Sequence, residues 1–202
     1  MKIICIGRNY AAHARELQNP VPEEPVIFLK PASALLPPGA SLRYPEFTKD
    51  LQYECEIVLQ ICRQGKDIPP EAAHAYFERW TVGIDFTARD LQQALKKKGL
   101  PWELAKAFDG SAAVGTFIPC NAGSGGNATF SLQQNGMEMQ SGNTSDMLFS
   151  FEKTIHFASR YFTLDPGDLI FTGTPEGVGP VHPSDRLECF LDGQRLLQVA
   201  IT

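Results

Sequence analysis

Residues 53–60 read YECEIVLQ, an alternation with a period of two. Tyr53, Cys55, Ile57 and Leu59 fall on one side, and Glu54, Glu56 and Val58 on the other. A half-buried β-strand has that period and a helix does not, so the centre of the chain is committed to a sheet. On a strand, residues two apart project to one face, roughly 7 Å apart along the chain. Glu54 and Glu56 therefore stand side by side. Burying either unpaired is expensive. Two resolutions are open: an edge strand whose outer face is wet, or a hard divalent cation, Mg²⁺ or Mn²⁺, which prefers oxygen ligands.

A cation needs further oxygen ligands, and Asp85 fits, because it ends the strand-like WTVGIDF at 80–86. Its plainer reading is a turn or capping aspartate. Thr87 and Asp90 resemble a capping box opening TARDLQQALKKKG, with Leu91 and Leu95 on one helix face and Gly99 as the stop.

The remaining segments alternate in character. IICI (3–6) and VIFLK (26–30) read as short strands, 8–18 as a polar helix, and 69–80 as a helix with prolines at its start. Asn135-Gly136 and Asp192-Gly193 each sit between alternating segments, the signature of tight hairpins. Residues 150–162 form an amphipathic helix that turns Phe151, Ile155 and Ala158 inward. Strands outnumber helices and no run of βαβ units appears. The expected class is α+β, mainly β, with a largely antiparallel or mixed sheet in a single domain over 1–202.

Composition excludes several functions. A formal net charge of −5 gives no reason to expect a nucleic-acid partner. No apolar run approaches the roughly 20 residues of a membrane span, and the N-terminal apolar stretch is too short for a signal-peptide core. The five cysteines make no CxxC pair and read as reduced thiols, so the expected location is cytoplasmic. GSGGNA (123–128) partly matches a dinucleotide fingerprint but precedes a strand rather than a helix. No GxSxG elbow supports a serine hydrolase.

Two further groups carry chemistry. His13 and Glu16 lie three apart on the first helix, where a carboxylate beside an imidazole suits a general base; the plainer reading is an incidental surface pair. Lys106 is isolated within LAKAFDG, facing either a pocket or a surface salt bridge, whereas Lys96–Lys98 read as a solvated helix end.

Taken in order, GRNYAAHARE (7–16), PVIFLKP (25–31), ECE (54–56), GIDFTARDLQ (83–92), KKKGLPWELAKAFDG (96–110) and FTGTPEGVGPV (171–181) resemble the fumarylacetoacetate hydrolase family. The similarity is to its short members, of the acylpyruvate hydrolase and oxaloacetate decarboxylase type. It implies a mixed β-roll or sandwich, a homodimer, and Mg²⁺ or Mn²⁺ held by Glu54, Glu56 and Asp85. It also implies a His13–Glu16 dyad on a lid, with Lys106, Gln92 and Thr174 holding substrate oxygens. Lys30 matches a family lysine that serves either substrate contact or support. Cys55 should point away from the metal.

The implied activity is cleavage of a 2,4-diketo acid to pyruvate and a carboxylic acid, with oxaloacetate decarboxylation also within reach of the site. Isomerisation or tautomerisation needs less of the same apparatus. Hydrolysis ranks first because it makes the most use of the dyad. The alternative from another class is a metal-stabilised ligand-binding protein without turnover.

Overall fold

The computed structural model describes residues 1–120 and 127–202, so most of the glycine-rich GSGGNA stretch lies outside the described residues. A seven-stranded sheet dominates the described residues. Its strands run in the spatial order Val26–Lys30, Ile3–Gly7, Leu169–Phe171, Cys55–Ile61, Phe77–Asp85, Ala112–Val114, and Ile118–Pro119 pairs with Phe77–Asp85 as well. The pairing is antiparallel except between Ile3–Gly7 and Leu169–Phe171, which run parallel. A four-stranded antiparallel sheet is built from the hairpins Thr129–Gln134/Met137–Asn143 and Arg186–Leu191/Gln194–Ala200. Both hairpins turn on a pair of positive φ angles, 54° and 84° at Asn135-Gly136 and 47° and 78° at Asp192-Gly193. Those values suit the tight turns whose twist matches paired strands.

The period-two pattern explains how the sheets meet. Cys55, Ile57 and Leu59 bury against Phe130, Leu132, Leu187, Cys189 and Leu191 of the smaller sheet, forming the main core. Val58, on the opposite face, joins a second cluster with Ile3, Cys5, Leu169 and Phe171. The seven-stranded sheet is thus covered on both faces. The Cys55–Ile61 strand lies inside it between two partners, so Glu56, and Glu54 just before the strand's first residue, are not on a wet edge.

Two local expectations are corrected. Residues 70–76 form a 3₁₀ segment rather than the start of a helix reaching 80, and the next strand begins at Phe77. Paired prolines start the segment, and its strand half pairs with Cys55–Ile61 across nearly its whole length. There is also no capping box at Thr87. Thr87 and Ala88 pair with Leu51–Tyr53, and the helix Arg89–Lys97 begins on Ala88 without a side-chain cap. Asp90 instead accepts from the Thr48 hydroxyl at 2.6 Å and the Lys49 N–H at 3.0 Å. The C-terminal helix Phe151–Tyr161 is capped by Ser150 and buries Phe151, Ile155 and Ala158 as expected.

Candidate active site

Glu54, Glu56 and Asp85 come together at the junction of two neighbouring strands. Cys55 pairs with Ile84 and Glu56 with Gly83, and the Asp85 N–H donates to the Glu54 carbonyl at 2.8 Å. This register brings one carboxylate oxygen from each residue within 4.8 Å of the others. All three side chains are buried, with Asp85 fully so. Cys55 points the other way into the core, as strand alternation requires.

Three cations surround the carboxylates. Lys106, on the short helix Glu103–Lys106, donates to Glu54 at 2.8 Å, to Asp85 at 2.7 Å and to the Thr87 hydroxyl at 2.5 Å. Arg89 reaches Glu54 at 2.5 Å. Lys30 lies 2.7 Å from Asp85 Oδ1 and donates to the Lys106 carbonyl and to Ser111. Lys106 is therefore a buried residue of the site rather than a surface ion-pair partner. Lys30 does not line the cavity and holds Asp85 and the Lys106 backbone from behind, which makes it a supporting residue.

These charges separate the carboxyls. Burial pushes Glu54 up, but Lys106, Arg89 and His13 outweigh it and hold the carboxyl well below the usual range. Glu56 is pushed well up by burial and by the charges of Asp85 and Glu54, against a hydrogen bond from the Gly173 N–H and the field of Lys106. Lys106 keeps its proton more tightly than an ordinary lysine, because Asp85 and Glu54 offset its burial. A buried carboxyl crowded by like charges is relieved by a proton or by a cation.

The donor set fits a hard divalent ion. Asp85 Oδ1 is buried without a hydrogen bond, its contact with Lys30 being an ion pair only. Oxygens around Mg²⁺ or Mn²⁺ at about 2.1 Å lie roughly 3–4 Å apart, a separation that falls inside the 4.8 Å within which the three carboxylate oxygens gather. Three carboxylates offset by Lys30, Arg89 and Lys106 also leave a formally neutral shell. A divalent cation and a dianionic ligand can enter it together without net charge.

Above this base lies a cavity lined by Glu54, Glu56, Gln92, Lys106, Thr174 and His13, among others. His13 is buried on the helix Ala11–Glu16, with Nδ1 3.1 Å from Glu16 Oε2. The other Glu16 oxygen accepts from the Gly177 N–H at 3.0 Å. The dyad is thus tied to the loop that also carries Thr174. Two glycines make that loop possible. Gly173 stands at φ +101°, where a Cβ would lie 2.6 Å from Asn9 Cβ, and its N–H donates to Glu56 Oε2 at 2.7 Å. Gly177 stands at φ +93° with a carbonyl 2.4 Å from where its Cβ would be.

The arrangement depends on four residues that the sequence reading did not place in the site, Thr87 among them having been read as a helix cap. Arg89 donates to Gln92 Oε1 at 2.7 Å, which leaves the Gln92 amide N–H groups available to the cavity. Its signal was a lone arginine in a buried carboxylate motif. The Thr87 hydroxyl accepts a hydrogen bond from the Lys106 ammonium, so it lies in the site rather than at a helix cap. Gln140 donates to the Thr174 hydroxyl and accepts from the Cys55 N–H, both at 2.9 Å, joining the Thr174 loop to the strand that carries Glu56. Asn9 is buried and bonds Thr172 and both backbone groups of Phe149. No sequence pattern marks Gln140, because its partners lie far along the chain.

Known proteins carry the same fold over nearly the whole chain. The family model described as fumarylacetoacetate (FAA) hydrolase C-terminal matches residues 2–201. The Mus musculus protein named oxaloacetate tautomerase FAHD1, mitochondrial, is 43% identical over 192 residues, covering 95% of this chain and 87% of that protein. The crystal structure of fumarylpyruvate hydrolase from Pseudomonas aeruginosa, in complex with Mn²⁺ and pyruvate, is 41% identical with a TM-score of 0.94, covering 100% of this chain and 89% of its own. A 5-carboxymethyl-2-hydroxymuconate delta-isomerase from Mycobacterium smegmatis is 34% identical with a TM-score of 0.87, over 100% and 78% of the two chains. These relatives are named for a tautomerase, a hydrolase and an isomerase. The chain belongs to the fumarylacetoacetate hydrolase family.

Proposed function

We propose that this chain is a divalent-metal-dependent enzyme that interconverts the enol and keto forms of an oxaloacetate-type 2-keto acid. The observation that carries the reading is the buried His13, fixed by Glu16 in the wall of the cavity that Glu54 and Glu56 also line. Glu54, Glu56 and Asp85 would hold Mg²⁺ or Mn²⁺, which supplies Lewis acidity toward the 2-keto-acid end of the substrate. With Nδ1 donating to Glu16, His13 presents Nε2 as the base. Enol-to-keto conversion removes the O–H proton and places a proton on C3; His13 Nε2 would take the first, and the imidazolium so formed would give its proton to C3, the reverse direction running the same transfers backwards. Gln92 amide N–H groups and the Thr174 hydroxyl orient the carboxylate end, and Lys106 keeps positive charge beside the developing enolate.

Tautomerisation ranks ahead of hydrolysis because of what the donors are doing. All three Lys106 protons are committed to Glu54, Asp85 and Thr87, so a second oxyanion on a distal carbonyl would draw mainly on Gln92. One base and one stabilised enolate meet the needs of proton transfer. The similarity to a protein named oxaloacetate tautomerase supports the same order. Hydrolysis of an acylpyruvate is the second reading, favoured by the likeness to fumarylpyruvate hydrolase and by the capacity of a histidine–glutamate dyad to activate water.

The test follows the enol absorbance of oxaloacetate with Mn²⁺-loaded and EDTA-treated protein, while pyruvate is assayed in parallel. Metal-dependent loss of enol without pyruvate is expected. Pyruvate from acylpyruvates, without faster enol loss from oxaloacetate, would install the hydrolase reading instead. No change in either signal would remove both.

A further inference from the structure

The cavity holds two cations that this reaction does not use. Arg8 and Lys96 both line it, Arg8 half-buried and Lys96 exposed, on the solvent side of the buried carboxylates. Arg8 is held there by its backbone. It follows the strand Ile3–Gly7 at φ +60°, a left-handed conformation unfavourable to a residue other than glycine. It precedes Asn9, whose side chain is locked to Phe149 and Thr172. Backbone strain kept beside a cavity is expected where a side chain must be aimed.

Lys96, near the end of the helix Arg89–Lys97, reaches across to Asn19 Oδ1 at 2.8 Å, which positions the ammonium without neutralising it. Among the described residues no carboxylate pairs with Arg8 or Lys96. Partial burial, and then the fields of Arg8 and Arg89, push the Lys96 ammonium down. Two cations on the wall of one cavity, without a carboxylate partner among the described residues, are satisfied by a bound anion.

We propose that Arg8 and Lys96 receive the second, distal carboxylate of the substrate, so that the site selects dicarboxylic 2-keto acids over monocarboxylic ones. The inference rests on the proposed reaction for the placement of the 2-keto-acid end against Glu54, Glu56 and Asp85. It accounts for Lys96, which would otherwise be an ordinary solvated lysine at a helix end.

The experiment measures binding of oxaloacetate and of pyruvate to Mn²⁺-loaded protein by calorimetry, for wild type, Arg8→Gln, Lys96→Gln and Lys96→Arg. Removing one charge-assisted contact should weaken oxaloacetate about tenfold or more and leave pyruvate within twofold. Lys96→Arg should retain most of the affinity. Lys96 is exposed, so its variants test the idea even if Arg8→Gln folds poorly. Unchanged oxaloacetate affinity in both glutamine variants, equal losses for both ligands, or wild-type protein that prefers pyruvate would overturn the assignment. Failure of the reaction itself looks different: selective, charge-dependent oxaloacetate binding without any acceleration of enol loss would leave the carboxylate subsite standing and remove the tautomerase.

Discussion

His13 Nδ1 lies 3.1 Å from Glu16 Oε2, and both residues belong to one short helix whose far end is tied to the Gly177 loop. This contact sets which imidazole nitrogen carries the lone pair. His13→Ala should lower kcat by about 10²–10⁴-fold, the usual contribution of a general base. Glu16→Gln, which keeps the shape and can still hold Nδ1, should cost less. Steady-state rates check both, and a Glu16→Gln rate equal to wild type would separate the Glu16 charge from the work of the base.

Lys30 makes a different kind of contribution. Its ammonium is buried between Asp85, the Lys106 carbonyl and Ser111. Lys30→Met leaves a buried carboxylate and three acceptor atoms, the Lys106 and Ser111 carbonyls and the Ser111 hydroxyl, without their partner, a change that costs about 3–5 kcal/mol for a buried pair. Urea unfolding with EDTA present should show the loss as a lower midpoint. A midpoint equal to wild type would mean that Asp85 does not depend on Lys30.

Gly173→Ala should damage stability and metal binding together. The new methyl would stand 2.6 Å from Asn9 Cβ at a φ of +101°, and the N–H involved holds Glu56. Left-handed backbone alone costs roughly 1–2 kcal/mol for a residue with a Cβ. A lower melting temperature with weaker Mn²⁺ binding by calorimetry is the expected pair of results; unaltered Mn²⁺ affinity would show that Glu56 holds its place without the loop.

Asp185 links pH to stability away from the site. Burial pushes its carboxyl up, but hydrogen bonds from Asn135, the His182 N–H and Gln134 more than offset this and leave the group below its ordinary value. A carboxyl lowered in the fold stabilises the protein above the unfolded value of about 3.9 and loses that contribution as pH falls through the folded value. Asp185→Asn should therefore be less stable than wild type at pH 7, and the gap should narrow below about pH 4. Denaturant midpoints at both pH values decide it, and a constant gap would assign the effect to packing.

Much of the site was legible because strand alternation is a strict geometric rule. Once Cys55 and Ile57 were read as core, Glu54 and Glu56 had to share the opposite face, and the strand ending at Asp85 supplied the third oxygen. Both hairpins were equally plain, since Asn-Gly and Asp-Gly turns act over two residues. The misreadings arose where tertiary contacts overruled local preference. Thr87 matched a helix cap but is taken by Lys106, 19 positions away, and residues 77–79 followed their sheet partners instead of a helix. Gln140 joins Cys55 and Thr174 over separations of 85 and 34 positions, distances at which local patterns carry nothing.

The strand Cys55–Ile61 has one more consequence. Its odd positions are bricks in the packing between the two sheets, while Glu56 faces the proposed catalytic chamber, so a single ribbon of backbone serves as a party wall. Renovation on one side is heard on the other. A bulkier residue at Cys55 or Ile57, on the face turned away from the cavity, would be felt first as a misaligned glutamate, and drift in the interior of this protein would register in the proposed metal site before it registered as a loss of shape.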